Sequence, residues 1–416
     1  MINIAILGFG LIGSGTADVL AENEDVISKK LGDKINIKYI LDLRKIENSV
    51  LSDKQVANFD VILNDPDISL IVESMGGAHP AFEYTKAALE KGISVVTPNK
   101  EIVAKFGAEL LASASKTDAR YFFEASVGGG IPIIRPMYNC LAANKINSVS
   151  AILNGTTNFI LTKMEKDNLG FEECLALAQA NGYAEKDPSA DIDGIDSCRK
   201  ICILSSLAFG RQLPPDKIYT EGIRGIFLSD IKNAVKAGYR IKLIAKSKLD
   251  GDSVYAIVSP MLVHKSCLLS NIEDVFNGII INGNAIGDVM FYGRGAGKLP
   301  TASAVVADIM DAVLKSSKNM TWEMSDGSHA ADYRLKPMRY YIRANSNCPD
   351  SDPESAINAI KSIFEDSEIH RDSNDENKEL FFLTKEYSEA DFIEKTDALE
   401  KLGVNILSKL RVLDQV

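Results

Sequence analysis

Ile4-Ala5-Ile6-Leu7-Gly8-Phe9-Gly10-Leu11-Ile12-Gly13 stands at the start of the chain, and its reading decides the fold. Four apolar residues predict a buried strand. A GxGxxG turn follows at once, and residues 12–21 predict a helix. Strand, glycine turn and helix together are the context in which this motif cradles a dinucleotide pyrophosphate. Gly8 permits the tight turn, Gly10 lets a pyrophosphate approach the backbone, and Gly13 permits close helix packing. Phe9, Leu11 and Ile12 complete the cradle. The helix N-terminus supplies amide donors and a positive partial charge.

Further strands are predicted at 35–41, 70–73, 94–97 and 121–124, with helical patterns at 79–91 and 102–117. Strands separated by helices imply a parallel sheet with right-handed crossovers. The fold class is therefore α/β, with a doubly wound Rossmann-type domain over residues 1–130. The second strand ends at Asp42-Leu43-Arg44-Lys45. Asp42 would accept a ribose 2′-hydroxyl and favour NAD. Arg44 or Lys45 would pair with a 2′-phosphate and favour NADP, so both remain open. Glu73-Ser74-Met75-Gly76-Gly77, Thr97-Pro98-Asn99-Lys100 and Glu124 through Pro132 follow the next three strands. Ligands bind beyond strand carboxyl ends in such sheets, so these three turns form one convergent crevice, with Ser74 a candidate for cofactor contact.

Residues 131–297 predict a different, α+β domain. It holds helices at 132–143, 159–167, 171–181 and 196–209, and strands at 146–153, 253–262, 278–281 and 289–292. A long apolar helix at 300–314 is expected to return to the first domain, completing it with about residues 298–315. A polar linker, 316–336, precedes residues 337–416, which read strand–helix–strand–strand–helix–strand with a hairpin turn at 372–378. About 80 residues in that order suggest a small ferredoxin-like module.

The 416 residues are 46% hydrophobic and 25% charged, with a formal charge of −11. That acidity argues against nucleic-acid or anionic-membrane partners. No apolar run approaches the roughly 20 residues of a membrane span, and residues 1–7 lack the basic region of a signal peptide. Six scattered cysteines without a CxxC pair argue against a disulfide framework and fit a reducing cytoplasm. Cys198 and Cys202 lie on an apolar helix as core residues. Four histidines with no paired spacing give no sign of a zinc site.

The richest segment runs from Gly182 to Lys200 and holds five carboxylates and two lysines between residues 185 and 200. Asp196 and Lys200 are four apart at the start of a helix, so they share a face. The helix continues with Ile201, Ile203, Leu204 and Leu207. Lys200 is thus expected beside buried surface, where burial favours the neutral amine and proton transfer becomes available.

Taken with Asn154-Gly155-Thr156-Thr157-Asn158, Gly293-Arg294-Gly295-Ala296-Gly297 and Pro300-Thr301, these motifs resemble homoserine dehydrogenase over about 300 residues. The tail resembles the ACT-type regulatory domain that members append. With no kinase domain before residue 1, the monofunctional form is expected. The resemblance implies NAD(P)-dependent interconversion of L-homoserine and L-aspartate 4-semialdehyde, within threonine, methionine and isoleucine biosynthesis. Lys200 would exchange the proton at the C4 oxygen, with Lys100 beside nicotinamide and substrate. Glu185 and Asp196 would hold homoserine, Asp196 at its ammonium group, and Asp191 would shape the pocket. Gly182, Glu185 and Gly297 would touch the cofactor. A sodium ion would be held at Glu124, Val127, Gly129 and Ile131, largely through main-chain oxygens, which suit a hard cation.

A homodimer or homotetramer is implied as well. The tail lacks the Asp-x-Pro-Gly turn usual after its first strand, reading Ser346-Asn347-Cys348-Pro349-Asp350-Ser351-Asp352-Pro353. An L-threonine effector and a purely structural role therefore both stand open. Aspartate-semialdehyde dehydrogenase needs a cysteine nucleophile, and no cysteine here sits in a nucleophile turn beside a histidine. A nucleotide sensor without catalysis would have no use for Lys100, Asp196 and Lys200.

Overall fold

β1 (Ile2–Leu7) is buried from Ile4 to Leu7 on both faces, as a strand inside a parallel sheet must be. In the computed structural model it is followed by α1 (Leu11–Glu22), α2 (Glu24–Leu31), β2 (Ile35–Leu41), β3 (Gln55–Val56) and α3 (Phe59–Leu63). Then come β4 (Ile68–Glu73), α4 (Ala81–Glu90), β5 (Ser94–Val96), α5 (Lys100–Ser115) and β6 (Tyr121–Phe122). The six strands are parallel in the order β3-β2-β1-β4-β5-β6. The chain reverses direction across the sheet between β1 and β4, which opens a ligand crevice at their carboxyl ends. The α/β doubly wound fold predicted from the sequence is present.

Residues 1–47, 50–315, 319–346, 353–365, 367–371 and 379–413 are described. The altered 347–352 turn with Cys348, and the 372–378 hairpin turn, lie outside the described residues. Past β6, the helix expected at 132–143 is present in shortened form over residues 134–140, its end widened at Pro136–Cys140, where the Leu141 amide donates to the Pro136 carbonyl. Pro136 has no amide to donate, and its ring crowds the preceding turn.

The elements that follow are β7 (Ile146–Ile152), α6 (Gly155–Asp167), α7 (Phe171–Ala180), α8 (Ser189–Ile192), α9 (Ile195–Phe209), β8 (Tyr219–Thr220) and α10 (Leu228–Lys236). The strands β9 (Tyr239–Asp250), β10 (Ser253–His264), β11 (Phe276–Gly283) and β12 (Gly287–Arg294) lead into α11 (Lys298–Leu314). The tail comprises β13 (Tyr340–Ser346), α12 (Pro353–Ile363), β14 (Glu368–Arg371), β15 (Leu380–Leu383), α13 (Glu389–Lys401) and β16 (Val404–Leu413).

These elements form two compact units, and the 131–297 stretch contributes to both. One comprises Met1–Val149, Cys198–Lys217 and Asn277–Ser328. In it, α11 lies along α1: a Cβ on Gly15 would stand 2.8 Å from Lys298 Cγ, and Lys298 pairs with Asp18 at 2.7 Å.

The other unit comprises Ser150–Ser197, Ile218–Phe276 and His329–Val416. The long antiparallel hairpin β9–β10 turns at Gly251, whose φ of +61° suits the first position of a two-residue II′ turn. β16 pairs parallel to β10, with Met261 opposite Arg411, so the tail's sheet continues the hairpin. Within the tail the order is β16-β13-β15-β14, all antiparallel, which is the ferredoxin-like βαββαβ arrangement. Tyr340, Phe364, Phe382 and Phe392 fill its core, with Tyr340 and Phe392 stacked at 3.7 Å.

A buried ion pair joins α10 to this module. Asp230 accepts from Arg343 Nε at 2.7 Å, from Tyr341 Oη at 3.2 Å and from the Phe227 amide at 3.1 Å. Asp230 is fully buried. Asp230→Ala is expected to reduce unfolding free energy by about 3 kcal/mol, since one side of a buried pair is removed. A urea midpoint close to wild type would show that Glu379, 3.1 Å from Arg343, suffices alone.

Candidate active site

At the end of β1, Gly8 adopts φ +86°, and a Cβ there would stand 2.7 Å from the Ser74 carbonyl. Ser74 Oγ donates to the Gly8 carbonyl at 2.8 Å, tying the β4 end to the glycine turn. A Cβ on Gly10 would meet only an Arg44 guanidinium nitrogen, 3.6 Å away, so this position faces open space. Gly10 provides no side-chain cap for α1, leaving first-turn amides for an anion. Gly13 is closed: a Cβ would lie 2.1 Å from the Gly8 carbonyl oxygen. Leu11 and Ile12 begin α1 between them.

The ribose-selecting residues form one cluster. Asp42 accepts from the Phe9 amide at 2.7 Å, the Arg44 amide at 2.9 Å, and Arg44 Nε and a terminal guanidinium nitrogen at 3.1 Å each. The Arg44 guanidinium holds the Asp42 carboxyl down at about 2. Arg44 itself is largely exposed.

The ends of β4 and β5 support Lys100 through a buried chain that the motif spacing did not reveal. Glu73 is fully buried, and burial pushes its carboxyl up. It accepts from Thr97 Oγ1 at 2.7 Å and the Met75 amide at 2.8 Å. Thr97 Oγ1 accepts from the Asn99 amide at 2.9 Å, and Asn99 caps α5 through its side-chain oxygen. Lys100 is the first residue of that helix.

Lys200 is on α9, 7% exposed. From Cys198 onward α9 belongs to the same unit as α5, and an ion pair links the two helices. Arg199 pairs with Glu101 at 3.2 Å. Gln212 accepts from the Ala108 amide at 2.9 Å and donates to the Ala104 carbonyl at 2.6 Å. Each lysine is thus next in sequence to a residue of the Arg199–Glu101 pair.

In the loop after β6, the Glu124 carboxylate accepts from the amides of Ile133, Ile134 and Arg135 at 2.6–2.8 Å. Its own amide donates to Asp308, which also pairs with Arg135 at 2.7 Å. Burial pushes the Asp308 carboxyl up to about 7. Val127, Gly129 and Ile131 are buried in this loop. The loop lies against the 293–297 turn: a Cβ on Gly129 would be 2.4 Å from the Gly295 carbonyl, and the Gly130 amide donates to the Arg294 carbonyl. Gly297 caps α11 at the end of that turn. Beside Gly295 lies the carboxamide of Asn277, 1% exposed and without a hydrogen-bond partner among the described residues.

In the second unit Asn154 draws two predicted site residues together. Its Nδ2 donates to Asp191 at 2.7 Å and to Asp196 at 3.0 Å, while its Oδ1 caps α6 at the Thr157 amide. Asp196 is 4% exposed. Glu185 and Gly182 are exposed on the stretch between α7 and α8, where the Glu185 carbonyl accepts from Gln179 at 3.2 Å. Asn154 opens the 154–158 segment, and nothing in its sequence spacing shows that it bridges two carboxylates.

Residues 8–124 match the family profile described as homoserine dehydrogenase, NAD binding domain, and residues 132–310 match that described as homoserine dehydrogenase. Homoserine dehydrogenase of Bacillus subtilis is 34% identical over 415 residues, 97% of this chain and 95% of that protein. The crystal structure of a homoserine dehydrogenase from Thiobacillus denitrificans superposes with a TM-score of 0.90, at 33% identity, covering 99% of this chain and 98% of that one. A hyperthermophilic archaeal homoserine dehydrogenase mutant in complex with NADPH gives 0.66 at 30% identity, covering 77% of this chain and 99% of that one. With two profiles matched in order and relatives alike along nearly their whole length, this NAD(P)-dependent oxidoreductase belongs to the homoserine dehydrogenase family.

Proposed function

We propose that Lys200 exchanges the proton at the C4 oxygen as L-homoserine and L-aspartate 4-semialdehyde interconvert, with Lys100 beside the reacting carbon. The carrying observation is a buried lysine one helical turn after a buried aspartate on α9, on a helix joined by an ion pair to the one that Lys100 begins. NAD(P), when bound, supplies hydride acceptance and donation. Lys200 takes the hydroxyl proton as the alcohol is oxidised. In reverse its ammonium offsets charge growing on the carbonyl oxygen. Asp196 pairs with the substrate ammonium, Asp191 shapes the same pocket through Asn154, and Glu185 contacts substrate and cofactor.

For the cofactor, Gly8, Phe9, Gly10, Leu11, Ile12, Gly13, Ser74, Lys100, Gly182 and Gly297 supply contacts. The open space over Gly10, rimmed by Arg44, fits a pyrophosphate with a 2′-phosphate nearby. Asp42 is already engaged by Phe9 and Arg44, which favours NADP over NAD. The NADPH complex of the archaeal relative agrees. Arg44→Ala is expected to raise KM for NADP about 10-fold and leave NAD nearly unchanged, as a charged phosphate contact is removed. Equal effects on both cofactors would refute the assignment.

Glu124, Val127, Gly129 and Ile131 are assigned to a sodium ion. The donor set fits, because main-chain oxygens in a buried loop suit a hard monovalent cation. The orphaned Asn277 amide beside the adjoining turn adds an unused polar group. Glu124 would contribute its main-chain oxygen, since its carboxylate holds three amides. The tail is assigned as an ACT-type module, the assembly as a homodimer or homotetramer, and the compartment as the cytoplasm. Among the described residues no helix is long and apolar enough to cross a membrane.

The test is a spectrophotometric assay of L-homoserine oxidation with NAD and NADP separately, with and without L-threonine. Homoserine-dependent reduction, faster with NADP, is expected. Threonine inhibition would assign the tail an effector, and its absence a structural role. No reduction with either cofactor, in folded protein, would overturn the reading.

A further inference from the structure

β16, the last strand of the tail, places Arg411 at 6% side-chain exposure between two carboxylates. It reaches Glu221 at 2.7 Å and both oxygens of Glu389 at 2.9 Å. Its guanidinium lies 4.7 Å over the Tyr219 ring. A bidentate, stacked arginine fixes its partners more narrowly than a point charge would. Glu389 opens α13 and accepts from Tyr340 Oη at 2.9 Å, so this grip starts within the tail.

Glu221 belongs to a short bridge, residues 219–224. Its amide donates to the Val258 carbonyl at 2.8 Å, which anchors the bridge to β10. The far side of the bridge holds the acidic segment. The Ile223 amide donates to the Ile192 carbonyl at 2.8 Å. Arg224 reaches both oxygens of Asp193, at 2.5 and 3.1 Å, and Ser189 at 3.2 Å. A Cβ on Gly222 would stand 2.1 Å from the Ile192 carbonyl oxygen and 2.5 Å from Asp193 Cα, so backbone lies directly on backbone. Asp191 and Asp196 flank Ile192 and Asp193 and share Asn154. The contacts run without interruption from α13 of the tail to the two carboxylates.

We propose that Arg411 and Glu221 are positioning residues for the amino-acid substrate, acting through the 219–224 bridge on Asp191 and Asp196. This rests on assigning those two carboxylates to substrate. It makes the tail part of the substrate site's scaffold. A displacement of α13 would then be felt at the ammonium-binding end of the site and not at the glycine turn.

The test uses the full chain and three variants: Glu221→Gln, Arg411→Met and their double. Each single change is expected to raise KM for L-homoserine about 5- to 10-fold, with kcat within about 2-fold, as loss of ground-state positioning does. Cofactor Kd, read by fluorescence titration, is expected to stay at the wild-type value. The double variant should be no worse than the stronger single, because the two act as one unit. Glu221 is partly exposed, so Glu221→Gln keeps the test available if Arg411→Met fails to fold. Asp196→Asn serves as reference. If it raises KM while folded Glu221→Gln does not, the bridge plays no positioning part. If Asp196→Asn itself leaves KM unchanged, the substrate assignment fails, and this inference with it.

Discussion

Lys200→Ala is expected to lower kcat for homoserine oxidation by about three orders of magnitude, the middle range for a positioned acid–base group. Lys200 is 7% exposed on α9, and Arg199 on the same helix pairs with Glu101 of α5, while Gln212 just past its end bonds the α5 backbone. The Arg199–Glu101 pair and the Gln212 bonds do not involve the Lys200 amine and remain available in the variant. Cofactor Kd is expected to change less than about 3-fold, because the glycine turn is built from β1, β4 and α1. Lys200→Met, which keeps most of the volume, controls for the cavity left by alanine. Lys200→Arg is expected to stay inactive, since a guanidinium does not give up its proton. Turnover near the wild-type rate in Lys200→Met would remove Lys200 as the proton-exchanging group and shift that role to Lys100.

Gly13→Ala is expected to weaken NADP binding by about 100-fold, the scale associated with misplacing a site by about 1 Å. The added Cβ would stand 2.1 Å from the Gly8 carbonyl oxygen and 3.0 Å from Ser74 Oγ. Neither neighbour is the free end of a flexible side chain. The turn must move, carrying its amides off the phosphate. Overpacking of this kind also costs about 1–3 kcal/mol of stability. Gly10→Ala is the matching contrast. Its Cβ meets only the Arg44 guanidinium at 3.6 Å, so folding should be unaffected while cofactor affinity falls. If Gly10→Ala binds NADP normally, the space over Gly10 is not the pyrophosphate site. Thermal midpoints and fluorescence titration of both variants separate these outcomes.

The parts of the molecule legible from sequence are those governed by local pattern. Ile4–Leu7 with its glycine turn identified a parallel strand and its helix, because strand burial and turn sterics are decided within about ten residues. The βαββαβ order of the tail was equally legible. β9 and α10 were missed. β9 carries Arg240, Lys242, Lys246 and Lys248 among its apolar residues, so it does not read as a buried strand. Lys242 is nevertheless buried, at 3.0 Å from Asn158 Oδ1, and burial brings its amine down to about 8. Partners 84 and 30 residues away in the chain, Asn158 and the Ile272 carbonyl, make that burial tolerable, and no local pattern shows them.

The sequence by itself determined the α/β class and the glycine turn after β1, and it carries the titratable residues proposed above for proton exchange and ammonium pairing. These follow from backbone sterics and side-chain chemistry, which each residue carries with it. The tertiary structure alone decided that Asn154 joins Asp191 to Asp196, that Glu73 and Asn99 support Lys100, and that Arg411 reaches Glu221 from 190 positions away. Those contacts join groups that no sequence spacing relates. A buried polar group must be matched in space, wherever in the chain its partner lies.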